Sequence, residues 1–121
     1  MTSILYVALG SALGGVCRYL LSLALNAPKG FPWGTFAVNV VGALAIGLLS
    51  GGLAKAGGEH AAALRAFAVA GFCGGFTTFS TFSNEAFRML ESAQWAQATA
   101  YILGSVLAGL AAVALGTFVS R

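Results

Sequence analysis

The chain has 121 residues, and Asp, Glu, Lys and Arg together make up 7% of them, against about 25% in an ordinary soluble domain. Hydrophobic residues make up 59%, there are 17 glycines, and the mean hydropathy is +0.90. Six Lys/Arg and three Asp/Glu cannot coat a body this small, whose surface is large for its volume; this excludes a soluble globular domain, a disordered chain and a nucleic-acid binder of the basic-patch kind, and makes lipid the main solvent.

Breaker chemistry divides the chain into four predicted spans forming one domain, residues 1–121. Span one, about Ser3–Leu25, is interrupted only by Arg18. It is too long for the apolar region of a signal peptide and no basic segment precedes it, so it is read as a retained span. The linker Asn26–Pro32 carries both prolines, a Gly and Lys29. Span two, about Trp33–Ala54, has no charge at all. The linker Lys55–Ala62 holds Gly57, Gly58, Glu59 and His60. Span three, about Leu64–Leu90, is the most polar, and the short connection Glu91–Gln94 leads to span four, about Trp95–Val119. Each segment far exceeds the roughly 9–11 residues of a membrane strand, and none alternates apolar with polar residues, so helices are predicted. Trp33 and Trp95 both begin spans, where aromatic belts belong. Gly10/Gly14, Gly47/Gly51 and Gly71/Gly75 are GxxxG pairs, which let helix backbones approach closely.

The scattered cations read as interfacial anchors. Cys17 and Cys73 lie in apolar segments as small hydrophobes. Without a CxxC or Cys/His cluster, a zinc or redox site is not expected, and His60 reads as a surface histidine. Four spans put both termini on one side, with Lys55, Arg65 and Arg121; Lys29, Arg88 and Arg18 belong to the other. Orientation follows the Lys/Arg bias between short loops, and here that bias is absent. The chain is therefore expected to insert either way up and to form an antiparallel homodimer, with the logic of an inverted repeat built from two copies. Four short helices leave little room for a pore within one chain, which also favours a dimer.

The chemistry concentrates in Gly71–Asn84, GFCGGFTTFSTFSN. Gly74 and Gly75 fall well inside span three, where paired glycines cost about 2 kcal/mol of helix propensity. Two readings stay open: a helix broken near its middle, with freed carbonyls suited to a cation such as Na+, or close helix packing without a break. Hydroxyls or amides occupy six of the eight positions from Thr77 to Asn84, namely Thr77, Thr78, Ser80, Thr81, Ser83 and Asn84, and read as a polar track. Phe76, Phe79 and Phe82 recur beside it. They are either core or lipid-facing rings, or rings whose electropositive edges stabilise a small anion. Asn39, in charge-free span two, either donates to an anion or bridges helices. Tyr101 and Ser105 are spaced to face one way. Arg18 and Glu85 are the ionisable groups nearest span interiors.

GGVCRY (Gly14–Tyr19), GTFAVNVVG (Gly34–Gly42) and GFCGGFTTFSTFSNE (Gly71–Glu85) resemble the Fluc, or CrcB, fluoride channels, in order and over essentially the whole chain. The resemblance implies an all-α, four-helix subunit of an antiparallel, dual-topology homodimer in the cell membrane of a prokaryote. It also implies two fluoride pores, a central structural Na+, and passive export of fluoride from the cytoplasm. By motif, Phe79 and Phe82 resemble the pore-lining phenylalanines and Asn39 the pore asparagine. Thr35, Glu85, Tyr101 and Ser105 resemble polar-track positions, and Ser80 is placed with the pore. Gly74 and Thr77 are expected to offer backbone carbonyls to Na+, two from each subunit. Arg18 resembles an arginine near the aqueous vestibule. One departure is visible: some relatives carry a hydroxyl one turn beyond Ser105, where this chain has Gly109.

The residues fit that chemistry. A pore for fluoride must replace hydration with N–H, O–H and ring-edge donors, yet hold the ion weakly. Neither Lys nor Arg occurs between Ala66 and Phe87 to trap it. Three rivals remain: a small dual-topology secondary transporter, which wants a carboxylate in the first span where this chain has none; a fluoride/proton antiporter using Glu85; and a scaffold without conduction. No nucleophile–base pair or metal cluster suggests an enzyme. The charge balance makes a first prediction: a reporter fused to the C-terminus is found on both sides of the membrane, and accessibility from one side alone contradicts dual insertion.

Overall fold

A computed structural model describes residues 2–26 and 30–121, and the described residues form helices without strands. Lys29, counted above among the loop cations, lies outside the described residues. Helix α1 is Thr2–Leu25 and α2 is Trp33–Leu53. Helix α3 starts as Gly58–Leu64, widens into a π-helical stretch over Arg65–Cys73 and closes with Gly74–Phe76. Helix α4 is Phe79–Glu91 and α5 is Trp95–Ser120. Four units are long and apolar enough to cross a membrane: α1, α2, α3 with α4 (34 residues), and α5.

The surface is inverted relative to a soluble protein. Ile4, Leu9, Leu13 and Leu23 of α1 and Leu103, Leu107 and Leu110 of α5 are all more than half exposed, as lipid-facing side chains are. Trp33 and Trp95 stand exposed at the starts of α2 and α5, positions suited to the headgroup region. The chain is a multi-pass membrane protein.

Packing depends on glycine. Gly10 and Gly14 of α1 press against α3, where a Cβ on Gly10 would stand 2.1 Å from the Phe67 carbonyl oxygen and one on Gly14 2.2 Å from that of Phe72. The approach is mutual, since a Cβ on Gly75 would meet the Ser11 carbonyl oxygen at 2.5 Å. Helices α2 and α5 repeat the device: a Cβ on Gly47 would lie 2.4 Å from the Val113 oxygen, and one on Gly116 2.6 Å from the Leu44 oxygen. The pairs Gly10/Gly14, Gly47/Gly51 and Gly71/Gly75 are thus spent on two helix contacts, α1 with α3 and α2 with α5. Lipid tails give little hydrophobic drive to associate, so close backbone contact supplies the attraction.

The third span departs from the sequence reading in three places. It begins at Gly58, inside the predicted linker Lys55–Ala62. Gly58 has φ +88°, which glycine tolerates. Glu59 then sits in the first turn, favourable to the helix dipole, and alanines follow. The break is also displaced. Gly74 remains helical at φ −61°, ψ −41°, and Gly75 serves close packing. The backbone becomes extended at Thr77 (ψ 157°) and Thr78 (φ −149°, ψ 122°). Two β-branched residues adopt that geometry readily, and each spends its hydroxyl on a helix end. Thr77 Oγ1 donates back to the Cys73 oxygen at 2.9 Å, and Thr78 Oγ1 accepts from Thr81 N–H at 3.2 Å to cap α4. Finally, the break separates Phe76 from Phe79 and Phe82. Phe76 is buried and stacked on Phe72, with ring centroids 5.6 Å apart.

Two residues beyond the end of α4 stands Ala93, a non-glycine residue at φ +59°. There Ser92 N–H bonds to the Arg88 oxygen and Gln94 N–H to that of Met89. Ala93→Gly is expected to stabilise the fold by about 1 kcal/mol by relieving the left-handed strain, read as a higher thermal midpoint in detergent. Gly10→Ala is expected to cost about 1–3 kcal/mol, because its Cβ meets backbone. Gly15→Ala meets nothing within 4 Å, and is expected to be neutral or to gain up to about 1 kcal/mol. The same midpoints decide both.

Candidate functional site

Asn39, in the second turn of α2, reaches the break. Its Oδ1 accepts from Thr78 N–H at 2.8 Å and its Nδ2 donates to the Thr78 oxygen at 3.1 Å. One carboxamide thus satisfies both backbone groups of an extended residue, as a neighbouring strand would. Of the two roles open from the sequence, bridging is realised. An amide nitrogen carries two hydrogens, so one N–H is left for a further acceptor. Gly42 makes room beside it, since a Cβ there would stand 2.2 Å from Thr77 Cγ2.

Around this contact lies an open groove of about 270 Å³, lined by Asn39, Thr77, Thr78, Phe79, Phe82 and Ser105, with Val106 at its margin. Phe79 and Phe82 lie 6.1 Å apart between centroids, tilted by 46°. Phe79 is 78% exposed, an apolar ring held out from the subunit. Ser105 Oγ is buried and has no hydrogen-bond partner among the described residues. A buried hydroxyl without a partner is costly. Ser105 lines the same groove as Asn39.

Beyond Phe82 the polar residues continue as a second cluster. The Phe82 and Tyr101 rings are 4.9 Å apart. Tyr101, fully buried, donates its hydroxyl to Glu85 Oε1 at 2.9 Å. Thr35, also fully buried, donates to Glu85 Oε2 at 3.2 Å. Asn26 Nδ2 donates to the same oxygen at 3.2 Å. Helices α2, α4 and α5 therefore meet at one carboxylate. Thr35, Glu85 and Tyr101 were singled out from the sequence and are brought together. Asn26 was passed over as part of a linker. No local signal reveals it, because its partners are eight or more residues away.

The remaining candidates sit apart. Ser80 is exposed and does not line the groove, and Asn84 is also exposed. The hydroxyl run is thus divided among a helix end, a cap, the groove and the outer surface, and is not one continuous track. Arg18 Nε donates to the Gly75 oxygen at 3.2 Å, placing a cation at the carbonyl end of α3, where the helix dipole favours it.

The break also frees carbonyls. In an unbroken helix the Gly74 oxygen would receive Thr78 N–H, and the Thr77 oxygen Thr81 N–H. Thr78 N–H goes instead to Asn39, and Thr81 N–H to Thr78 Oγ1. Both carbonyls lose their helical donors, and Gly74 is exposed without a side chain to cover it. Two such oxygens are the hard ligands that an alkali cation takes.

Comparison with known proteins now bears on this geometry. The family described as "CrcB-like protein, Camphor Resistance (CrcB)" matches residues 5–117. A protein of Nitrobacter winogradskyi named "Fluoride-specific ion channel FluC" is 46% identical, covering 99% of this chain and 96% of its own. Its namesake from Paracoccus denitrificans is 48% identical over 97% and 93%, and that from Phocaeicola vulgatus 41% identical over 100% of both. With a match along nearly the whole length, the chain belongs to the CrcB family.

Proposed function

We propose that this protein is a passive, fluoride-selective channel that lets fluoride out of the cytoplasm. The observation that carries the reading is Ser105 Oγ, buried and unpartnered beside the Asn39 amide and the two phenylalanine rings. Fluoride is an acceptor only. Ser105, Asn39 and two phenylalanines line the groove, and no cation is among its lining residues in the described part of the chain, so in this reading an anion finds O–H, N–H and ring-edge donors without a full charge that would hold it. The names of the relatives supply the ion.

The groove of one subunit is open, and Phe79 and Gly74 at its edge are exposed. A second copy closes it in this reading. The dimer is antiparallel, as the unbiased loop charges allow, and each subunit contributes to two pores. The Gly74 and Thr77 carbonyls then pair with their equivalents to hold a structural Na+ from four oxygens. The Glu85 carboxyl belongs to the track as an acceptor fixed by three donors. That engagement favours a channel over a carrier in which the carboxyl must shuttle protons.

Fluoride efflux from proteoliposomes tests the proposal. Wild type is expected to give rapid efflux that survives collapse of the pH gradient, with little chloride flux; efflux abolished by that collapse supports coupled transport instead. Asn39→Asp loses its N–H bond to Thr78 and sets a negative charge beside the anion's path, and is expected to cut efflux about 100-fold. Ser105→Ala removes one donor and is expected to slow efflux about tenfold at equal or higher thermal stability, because an unpartnered buried hydroxyl is lost.

A further inference from the structure

We infer that Asn26 is a positioning residue: it sets the Glu85 carboxylate, and through Tyr101 the wall of the groove. The inference takes the fluoride-channel reading as its functional frame. Asn26 follows the last residue of α1 and belongs to none of the motifs above. Its Oδ1 accepts from Gly34 N–H at 2.6 Å and Thr35 N–H at 3.3 Å, two first-turn donors of α2 that need a cap. Pro32, at the N-cap position, makes no side-chain cap bond, so Asn26 supplies the acceptor from upstream. Both partners are backbone donors. They therefore fix which end of the amide is oxygen, and the nitrogen must face the other way. There it donates to Glu85 Oε2 at 3.2 Å and Thr35 Oγ1 at 3.3 Å. Gly34 admits this arrangement, because a Cβ there would stand 2.7 Å from Asn26 Oδ1.

The other two donors to Glu85, the hydroxyls of Thr35 and Tyr101, each carry one proton that can turn about its C–O bond, the phenol's between two positions in the ring plane. The amide is planar and pinned at its oxygen. Of the three donors, Asn26 alone has its direction set by the backbone. Glu85 takes its orientation from Asn26, Tyr101 follows Glu85, and the Tyr101 ring packs on Phe82 at 4.9 Å. The start of α2 is thereby linked to the aromatic wall.

Asn26→Asp separates the two jobs of this residue. It keeps an acceptor for both α2 N–H groups, where an anion caps well, but loses both N–H donors. A role in capping alone predicts unchanged fluoride efflux in proteoliposomes, which would overturn the inference. Positioning predicts a fall of about tenfold or more. Adding Glu85→Gln reverses donor and acceptor across the same contact, so Asn26→Asp is expected to cause no further loss in that background. Equal losses in both backgrounds overturn the inference. Thermal midpoints of wild type, the two single variants and the double variant give a readout without fluoride. Non-additive midpoints support the coupling of Asn26 to Glu85, and additive ones overturn it. Should wild type carry no fluoride, the channel reading fails while those midpoints still decide the coupling.

Discussion

A backbone N–H or C=O left without a partner in lipid costs several kcal/mol. This chain stops being helical inside its third span, at Thr77 and Thr78, and one side chain from another helix makes the interruption tolerable. The Asn39 carboxamide takes both backbone groups of Thr78. Much of the site follows from that contact. Diverting Thr78 N–H frees the Gly74 carbonyl, and letting Thr78 cap α4 frees that of Thr77. The restart at Phe79 turns Phe79 and Phe82 away from the axis of α3 and leaves Phe76 in the packed interior.

The glycines explain how so small a protein holds such an irregular span in place. They bring α1 to α3 and α2 to α5 at backbone contact, so the segment before the break is held by main chain rather than by bulky side chains. The groove that carries Asn39, Phe79, Phe82 and Ser105 lies where α2, α4 and α5 meet. Three charged side chains of the described spans are engaged in the same economy. Arg18 binds the Gly75 oxygen near the break. Arg65 donates to the Leu53 and Ala56 oxygens and so caps the end of α2. Glu85 gathers donors from α2, α5 and the residue after α1. For Arg65, anchoring at the membrane surface was too weak a reading; its partners are backbone carbonyls.

The contrast between Asn39 and Asn26 shows how far local pattern reaches. Asn39 was conspicuous because an amide in a charge-free span is expensive unless it has a partner. Asn26 was inconspicuous because an Asn among prolines and glycine is ordinary turn chemistry. The two do the same kind of work, each satisfying backbone at a helix end. Likewise the run from Thr77 to Asn84 suggested one polar track by density alone. Density does not report which way each residue points, and the change of direction at Thr78 sends Ser80 and Asn84 to the outer surface.

Sequence alone determined the solvent, the four spans, the glycine contacts and most of the residues that gather around the groove. Those properties depend on composition, period and motif, which are local and survive without coordinates. It also located an irregularity in span three, but placed it at the glycines. Only the tertiary structure moved it to the threonines, because the outcome depended on what faced each position. Ser11 stood against Gly75 and favoured an unbroken close approach, whereas Asn39 stood against Thr78 and offered both partners that extended backbone requires.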